Sequence, residues 1–288
     1  MYRLRDPTSI KRYDELTEAK PRYRQEKLFT SIAIQLSMDP NKAIIRPPGK
    51  TFVKCLSCHP LRDTIDLALA REQHANYRSM LSELGLEVIG LLPDDSHPDA
   101  CFVEDNAVVH GGRALVCRMG AESRRGEEEA VESALKSFVR VRRAEAPATI
   151  EGGDVVHLQN RLVSGISQRT NRSGVDQLAS WLEVAVDTVE DHEIMHLKSY
   201  VTYLGKGVAI VSKRFAKHPA LQDLTLVVVP DSEAYAADTL TIGTTVLMPS
   251  GMKKSEALVR EAGFDVTPLD VSEFEKCDGA ITCLSILF

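Results

Sequence analysis

The sequence predicts an α/β fold in which five ββαβ-like units close into a propeller-like ring. Three observations carry that prediction. β-Rich runs joined by two- or three-residue links containing Gly or Asn recur along the chain, a pattern that marks hairpins. Helical stretches with one apolar face follow them, and further strands follow the helices. The units start about 40–50 residues apart, a period typical of propellers, solenoids and arrays.

The elements are expected as follows. An unpaired helix, His74–Leu84, stops at Gly85 and leads into a strand over Leu86–Leu92. The hairpin missing from this unit is expected from the two ends of the ring, Ile281–Phe288 and Ala43–Arg46. The first complete copy pairs Asn106–His110 with Arg113–Cys117 across Gly111-Gly112, followed by a helix over Arg125–Phe138 and a strand over Val139–Val141. The second pairs Asp154–Leu158 with Arg161–Gly165. Its helix, Gly174–Val184, places Val175, Leu178, Trp181 and Leu182 on one face. The third pairs Tyr200–Leu204 with Val208–Ser212, with a short helix near Lys213–Leu221 and a strand over Thr225–Val229. The fourth pairs Asp238–Ile242 with Thr245–Met248, then a helix over Lys253–Glu261 and a strand over Phe264–Thr267. One unit cannot bury both its sheet and its helix, and closing the ring removes free strand edges. The competing reading, one α/β sheet with crossover helices, has no use for the hairpins.

Composition narrows the function classes. An apolar fraction of 43% over 288 residues excludes disorder as the dominant state. No apolar run approaches the roughly 18 residues of a transmembrane helix. With 35 basic and 41 acidic residues the net charge is −6, so no basic field points to nucleic acid or an anionic membrane. The pattern G-x-G-x-x-G and the Walker A pattern are both missing. The N-terminus lacks an apolar export segment, and Asp6, Asp14, Glu15 and Glu18 argue against a transit peptide. A cytoplasmic location with free thiols is therefore expected, and six cysteines are too few for a disulfide scaffold. Cys55-Leu-Ser-Cys58-His59 matches the haem-attachment pattern, but with no export signal and no second cysteine pair it reads as a loop with incidental thiols. Residues 1–42 form an N-terminal extension. Within it Lys20–Lys27 reads as solvated, and Leu28–Leu36 as either a short helix packing on the ring or a neighbouring subunit, or part of a disordered arm. Residues 43–288, which hold all five units, are expected to form a single α/β-propeller domain.

Polar residues gather at matching edges of the units. Asp99, Glu104 and Asp105 precede the first hairpin, Glu151-Gly-Gly-Asp154 the second and His196-Leu-Lys-Ser199 the third; Asp278–Cys283 enters the last strand. In a ring, equivalent edges converge on one axis, which brings carboxylates, one His and one Cys together. That set is the constellation of thiol nucleophilic catalysis, in which a cysteine needs a neighbouring base or cation to act as thiolate. Taken singly, each residue has a plainer reading. Cys283 is a small buried residue of an apolar strand, His196 a satisfied core histidine, and Glu104-Asp105 a solvated turn. Gly152-Gly153 marks a turn or a close backbone approach.

The ordered set Pro98-Asp-Ala-Cys-Phe-Val-Glu-Asp105, Ser123-Arg-Arg-Gly-Glu127, Glu151-Gly-Gly-Asp154, Ser167-Gln-Arg-Thr-Asn171, His196-Leu-Lys198 and Cys277-Asp-Gly-Ala-Ile-Thr-Cys283 resembles the dimethylarginine dimethylaminohydrolases of the guanidino-modifying superfamily over residues 43–288. The resemblance implies a five-bladed α/β propeller (pentein fold) with pseudo-fivefold symmetry. It implies that Cys283 attacks a guanidinium carbon, that His196 protonates the departing amine and then activates water, and that Glu151 orients His196. It implies Asp105 and Glu104 at the guanidinium nitrogens with Asp99 nearby, and Arg124 and Arg169 at an α-carboxylate. Leu56, in a lid, and the Cys277 carbonyl fall at the ammonium end. Neither a metal nor an organic cofactor is implied, because the substrate is already an electrophilic cation. The implied partner is a small guanidino molecule, and a homodimer is one assembly open to the chain.

The implied reaction is hydrolysis of Nω-methylated arginine to citrulline and dimethylamine or methylamine, through an S-alkylthiouronium intermediate. Arginine deiminases carry Asp two positions after their His, where this chain has Lys198, and losing that carboxylate suits a nitrogen whose hydrogens are replaced by methyls. Thr282 and Cys277 depart from the family's frequent residues, Ser and an aliphatic. An arginine deiminase, an amidinotransferase on the same scaffold, or a non-catalytic methylarginine-binding protein are the alternatives.

Overall fold

The computed structural model describes residues 40–288, so the expectations for Lys20–Lys27 and Leu28–Leu36 fall outside the described residues. Five three-stranded sheets are present. The first joins the chain ends: β1 (Lys42–Ile45) lies antiparallel to β15 (Ser285–Leu287) and parallel to β2 (Glu87–Gly90). Ala43 faces Leu287 in that pairing, so the ring closes where the sequence pattern placed it.

The other four sheets repeat the arrangement within the chain. They are β3 (Ala107–His110), β4 (Arg113–Val116) and β5 (Arg140–Arg143); β6 (Val155–His157), β7 (Leu162–Ile166) and β8 (Val186–Glu190); β9 (Val201–Gly205), β10 (Val208–Val211) and β11 (Thr225–Val228); and β12 (Leu240–Ile242), β13 (Thr245–Pro249) and β14 (Asp265–Leu269). In each, the middle strand is antiparallel to the first and parallel to the third. A parallel partner requires a crossover, and helices supply most of them. These are α1 (Leu67–Glu83), α2 (Glu128–Leu135), α3 (Arg172–Leu182) and α4 (Lys253–Glu261). Among the described residues no helix is long and apolar enough to cross a membrane.

Three departures from the sequence expectation have local causes. Helix α1 begins seven residues before His74, because the Asp66 carboxylate accepts from the Ala68 and Leu69 N–H groups and so caps an earlier start. The helix expected near Lys213–Leu221 is instead a series of turns ending in a 3₁₀ turn at Pro219–Leu221. Pro219 lacks an N–H, and the residue before a proline is steered away from helical geometry. The strand expected, without stated bounds, after the second unit's helix is β8, where Val186-Asp-Thr-Val-Glu190 alternates at period two. The strand expected over Ile281–Phe288 begins only at Ser285, and its first part is a 3₁₀ turn, Thr282–Leu284, that carries Cys283.

Five hydrophobic clusters lie between neighbouring sheets. Val108 and Leu115 of the β3–β5 sheet pack with Val155 and Leu162 of the next, and Val156 and Val163 pack with Val201 and Val211 of the one after. A side chain on each sheet face thus finds its apolar partner on an adjacent unit. A second link lies nearer the axis, where short 3₁₀ turns lead into the hairpins. The Asp105 carboxylate accepts from Gly153 N at 3.0 Å, Asp154 from Leu197 N at 2.9 Å and Asp238 from Thr282 N at 3.1 Å. Each carboxylate satisfies an N–H of the next unit's turn that no helix or ladder would pair. The same turns carry the reactive residues, so this clasp sets their mutual positions.

Candidate active site

One cavity is lined by Leu56, Asp99, Phe102, Asp105, Arg124, Arg169, Met195, His196, Cys277, Asp278, Gly279 and Cys283. Eight of the ten residues expected at the site from sequence are among them. The other two, Glu151 and Glu104, lie behind the wall.

Glu151 is fully buried. Its Oε2 lies 2.7 Å from His196 Nε2, and its Oε1 accepts from Gly120 N at 2.8 Å. His196 Nε2 also lies 3.8 Å from Asp105 Oδ1. Burial disfavours the imidazolium, but Asp105 and Glu151 outweigh it and raise the His196 pKa to about 9. Burial likewise opposes ionisation of Asp105 and Glu151, and their cationic neighbours hold both carboxyls below the ordinary range. His196 therefore carries a proton at neutral pH. Gly152 and Gly153 make this packing possible. A Cβ on Gly152 would come within 2.0 Å of the Glu104 carbonyl oxygen, and one on Gly153 within 2.8 Å of the His196 ring. Close backbone approach is thus the reason for the paired glycines.

Cys283 is half-buried on its 3₁₀ turn, not within a strand. Burial, then the Asp238, Asp105 and Glu104 carboxylates, push its thiol well above the ordinary value. A cationic group bound beside it would reverse the electrostatic part of that shift.

The two arginines differ. Arg124 is buried, and its donors are taken by internal carboxylates: Nη1 to Asp105 at 2.8 Å, Nη2 to Glu127 at 2.8 Å and Nε to Glu127 at 3.1 Å. Arg169 has no carboxylate within ion-pair distance among the described residues; its Nη2 lies 3.9 Å from Met195 Sδ. Of the two arginines on the wall, Arg169 is the one free to take an anion.

Glu104 is also committed, because Lys198 Nζ donates to its Oε1 at 2.6 Å, while Oε2 is buried without a hydrogen-bond partner. Burial raises its carboxyl above the usual range despite that lysine. Asp99 accepts from Leu56 N at 3.1 Å. Asp105 lines the cavity beside His196, with Oδ1 3.8 Å from His196 Nε2 and Oδ2 paired to Arg124.

Asp105, Glu151 and His196 bring one donor atom each within 4.8 Å, a spacing that fits a metal ion. The position is already neutralised. The Nε2–Oε2 hydrogen bond spans it, and Arg124 Nη1 stands 3.8 Å from Glu151 Oε2, so a metal would displace the imidazole proton beside a fixed cation.

One expectation is overturned. Cys55 and Cys277 form a disulfide with Cα atoms 5.9 Å apart, so these two thiols are not free. They are 222 residues apart in sequence, and ring closure brings them together. Sequence reasoning also missed Glu127, Phe102, Met195 and Asp238. For Glu127 a signal existed: it lies three residues after Arg124, a spacing that suits an ion pair.

A sequence model of the arginine deiminase family matches residues 92–225. The N(G),N(G)-dimethylarginine dimethylaminohydrolase of Pseudomonas aeruginosa is 34% identical over 250 residues, covering 85% of this chain and 98% of that protein. The chain belongs to the dimethylarginine dimethylaminohydrolase family. Solved structures of this family superpose closely. One, an adduct with S-methyl-L-thiocitrulline, has a TM-score of 0.84 at 33% identity and covers 86% of this chain and 100% of that one. Another, the Pseudomonas aeruginosa protein complexed with citrulline, has a TM-score of 0.84 at 32% identity and covers 87% and 100%. The family's pentein fold is the ring of five sheets described above.

Proposed function

We propose that the protein hydrolyses Nω-methylated arginine to citrulline and dimethylamine or methylamine, with Cys283 as nucleophile. The observation that carries this reading is the convergence of Cys283, the Glu151-held His196 and the Asp105 carboxylate on one cavity. Asp105 draws the guanidinium cation in. The bound cation compensates the carboxylates that hold Cys283 as a thiol, so its proton passes to solvent and the thiolate forms when substrate is present. It attacks the guanidinium carbon. The His196 imidazolium gives its proton to the departing methylated amine, leaving an S-alkylthiouronium on Cys283. The now neutral His196 takes a proton from water, which attacks the same carbon; the C–S bond then breaks, the remaining hydroxyl proton passes to the departing Cys283 sulfur, and citrulline leaves. Glu151 holds the ring in place through both transfers. Arg169 takes the α-carboxylate, while Arg124 fixes Asp105; Leu56, whose N–H holds the Asp99 carboxylate, and the Cys277 carbonyl form the ammonium end.

Lys198 supports the choice of a methylated substrate. Its bond to Glu104 removes one carboxylate from the guanidinium, so a terminal nitrogen that has lost its hydrogens forfeits little. Plain arginine is the second reading, favoured by the arginine deiminase match over residues 92–225. Citrulline formation from dimethylarginine and from arginine, measured side by side, decides between them. The first reading requires the larger kcat/KM for dimethylarginine, and Cys283→Ser must abolish turnover. Activity surviving that substitution removes the mechanism.

A further inference from the structure

The Cys55-x-x-Cys58 motif has no part in the chemistry above, yet it sits on the lid. Cys55 precedes Leu56, whose side chain lines the cavity and whose N–H meets Asp99. Its disulfide partner, Cys277, lines the same cavity. The bond thus joins the two segments assigned above to the ammonium end of the substrate. Other contacts join the same segments: Ser57 Oγ donates to the Lys276 carbonyl at 2.9 Å, Cys58 N to Asp278 Oδ2 at 3.0 Å, Lys276 Nζ to the Thr64 carbonyl at 3.1 Å and Asp66 N to Glu273 Oε2 at 2.8 Å, and the Phe52 ring packs on Phe274. Such hydrogen bonds contribute about 1 kcal/mol each and open one by one, whereas the disulfide is the covalent tie between the two segments.

Cys55 and Cys277 are 1% and 3% exposed, so an external thiol has poor access to either sulfur. Cys58, three residues along, is exposed and free. We propose that Cys55, Cys58 and Cys277 form a thiol–disulfide exchange site, through which a dithiol reductant releases the lid and weakens substrate binding. This inference rests on the proposed function for its effect on substrate, but not for its chemistry. The Cys58 thiolate attacks Cys55 Sγ. The Cys55–Cys277 bond breaks, and Cys277 leaves as a thiolate that takes up a proton. The new Cys55–Cys58 bond lies on the exposed segment, where the dithiol reduces it, giving up two electrons and two hydrogens and closing to its own disulfide.

The test uses the full chain, oxidised with glutathione disulfide or reduced with dithiothreitol. Peptide mapping after alkylation reads the Cys55–Cys277 link, hydrogen exchange reads the lid over residues 52–66, and steady-state assays read KM. Reduction is expected to free Cys55 and Cys277, speed exchange in the lid and raise KM for dimethylarginine about threefold or more, because an unheld lid must be ordered on binding. Cys55→Ala should match the reduced form and ignore dithiothreitol. Cys58→Ser should keep the oxidised KM and slow reduction about tenfold, having lost its internal attacking thiol. The proposal fails if the link does not form under oxidation, if lid exchange and KM are the same in both forms, or if Cys58→Ser is reduced as fast as the natural chain. Absence of turnover in both forms would count against the proposed substrate instead, and lid exchange would still decide the switch.

Discussion

His196 Nε2 stands 2.7 Å from Glu151 Oε2, and the far oxygen of that carboxylate is pinned by Gly120 N at 2.8 Å. The imidazole is therefore held by an acceptor that cannot itself rotate. A ring fixed in this way can give a proton to a leaving amine and take one from water without reorienting between steps, which is what positioned acid–base catalysis requires.

Replacing Glu151 by Gln keeps the shape of this contact and removes its charge. Turnover is expected to fall about 10²- to 10⁴-fold, the usual worth of a well-placed acid–base pair. The His196 pKa should drop from about 9 toward the ordinary 6.5, read by NMR titration of labelled histidine. Linkage adds a second signature. The His196 pKa is higher in the folded chain than in the unfolded one, so its stabilisation is complete below about 6.5 and is lost as pH rises through about 9. Thermal unfolding across that window should show the loss in the natural chain and a smaller one in Glu151→Gln. An unmoved His196 titration would contradict the assignment.

The two arginines of the cavity should separate in mutagenesis. Arg124→Met leaves the buried Asp105 and Glu127 carboxylates facing each other without their cation, so a loss of about 3–5 kcal/mol in stability is expected. Arg169→Met breaks no ion pair among the described residues. It should leave the melting temperature close to that of the natural chain while raising KM for dimethylarginine about 10²-fold, as expected for a lost charge-assisted contact. Calorimetry and steady-state kinetics on the two variants check this, and equal destabilisation by both would refute the division of roles.

How far the molecule could be read from its sequence follows from the range of each interaction. Hairpins were legible because a Gly or Asn link between β-rich runs is a local signal, and β1 and β15 followed because one unit lacked its hairpin. Cys283, His196 and Asp105 were legible as residue types at equivalent edges of a repeat. The Lys213–Leu221 turns were misread because the repeat, which places a helix after each hairpin, was extended across Pro219. The Arg124–Glu127 pair was passed over because the resemblance had assigned Arg124 to a substrate α-carboxylate, which left no internal partner to look for. The Cys55–Cys277 bond and the Asp238–Thr282 clasp had no local signal, because each joins segments that only the closed ring brings together.

Lys198→Met tests the origin of substrate choice. It frees the Glu104 carboxylate, whose Oε1 now accepts from the lysine at 2.6 Å. A freed acceptor favours a guanidinium that still carries its hydrogens. The ratio of kcat/KM for dimethylarginine over arginine should therefore fall about tenfold, the scale of one hydrogen-bonded discrimination. A ratio that stays constant while both rates fall would mean that Lys198 supports the fold and does not sort substrates.

Asp238 accepts from both Thr282 N at 3.1 Å and Thr282 Oγ1 at 3.2 Å, and so fixes the residue before the nucleophile. Burial, then Glu104, raises its carboxyl to about 7. The sign of the linkage is opposite to that of an ion-paired acid. The folded chain binds this proton more tightly than the unfolded one, so Asp238 lowers stability as pH rises from about 4 through about 7. Asp238→Asn keeps an oxygen acceptor for Thr282 N and cannot ionise. Its melting temperature should therefore match the natural chain near pH 3 and exceed it near pH 8, with the difference opening from about pH 4 through about 7. Cys283 should also react with iodoacetamide at lower pH in the variant, since Asp238 heads the carboxylates that raise its thiol. A variant less stable at both pH values, with unchanged thiol reactivity, would show that Asp238 serves the ring as a clasp and leaves the nucleophile's ionisation to its other neighbours.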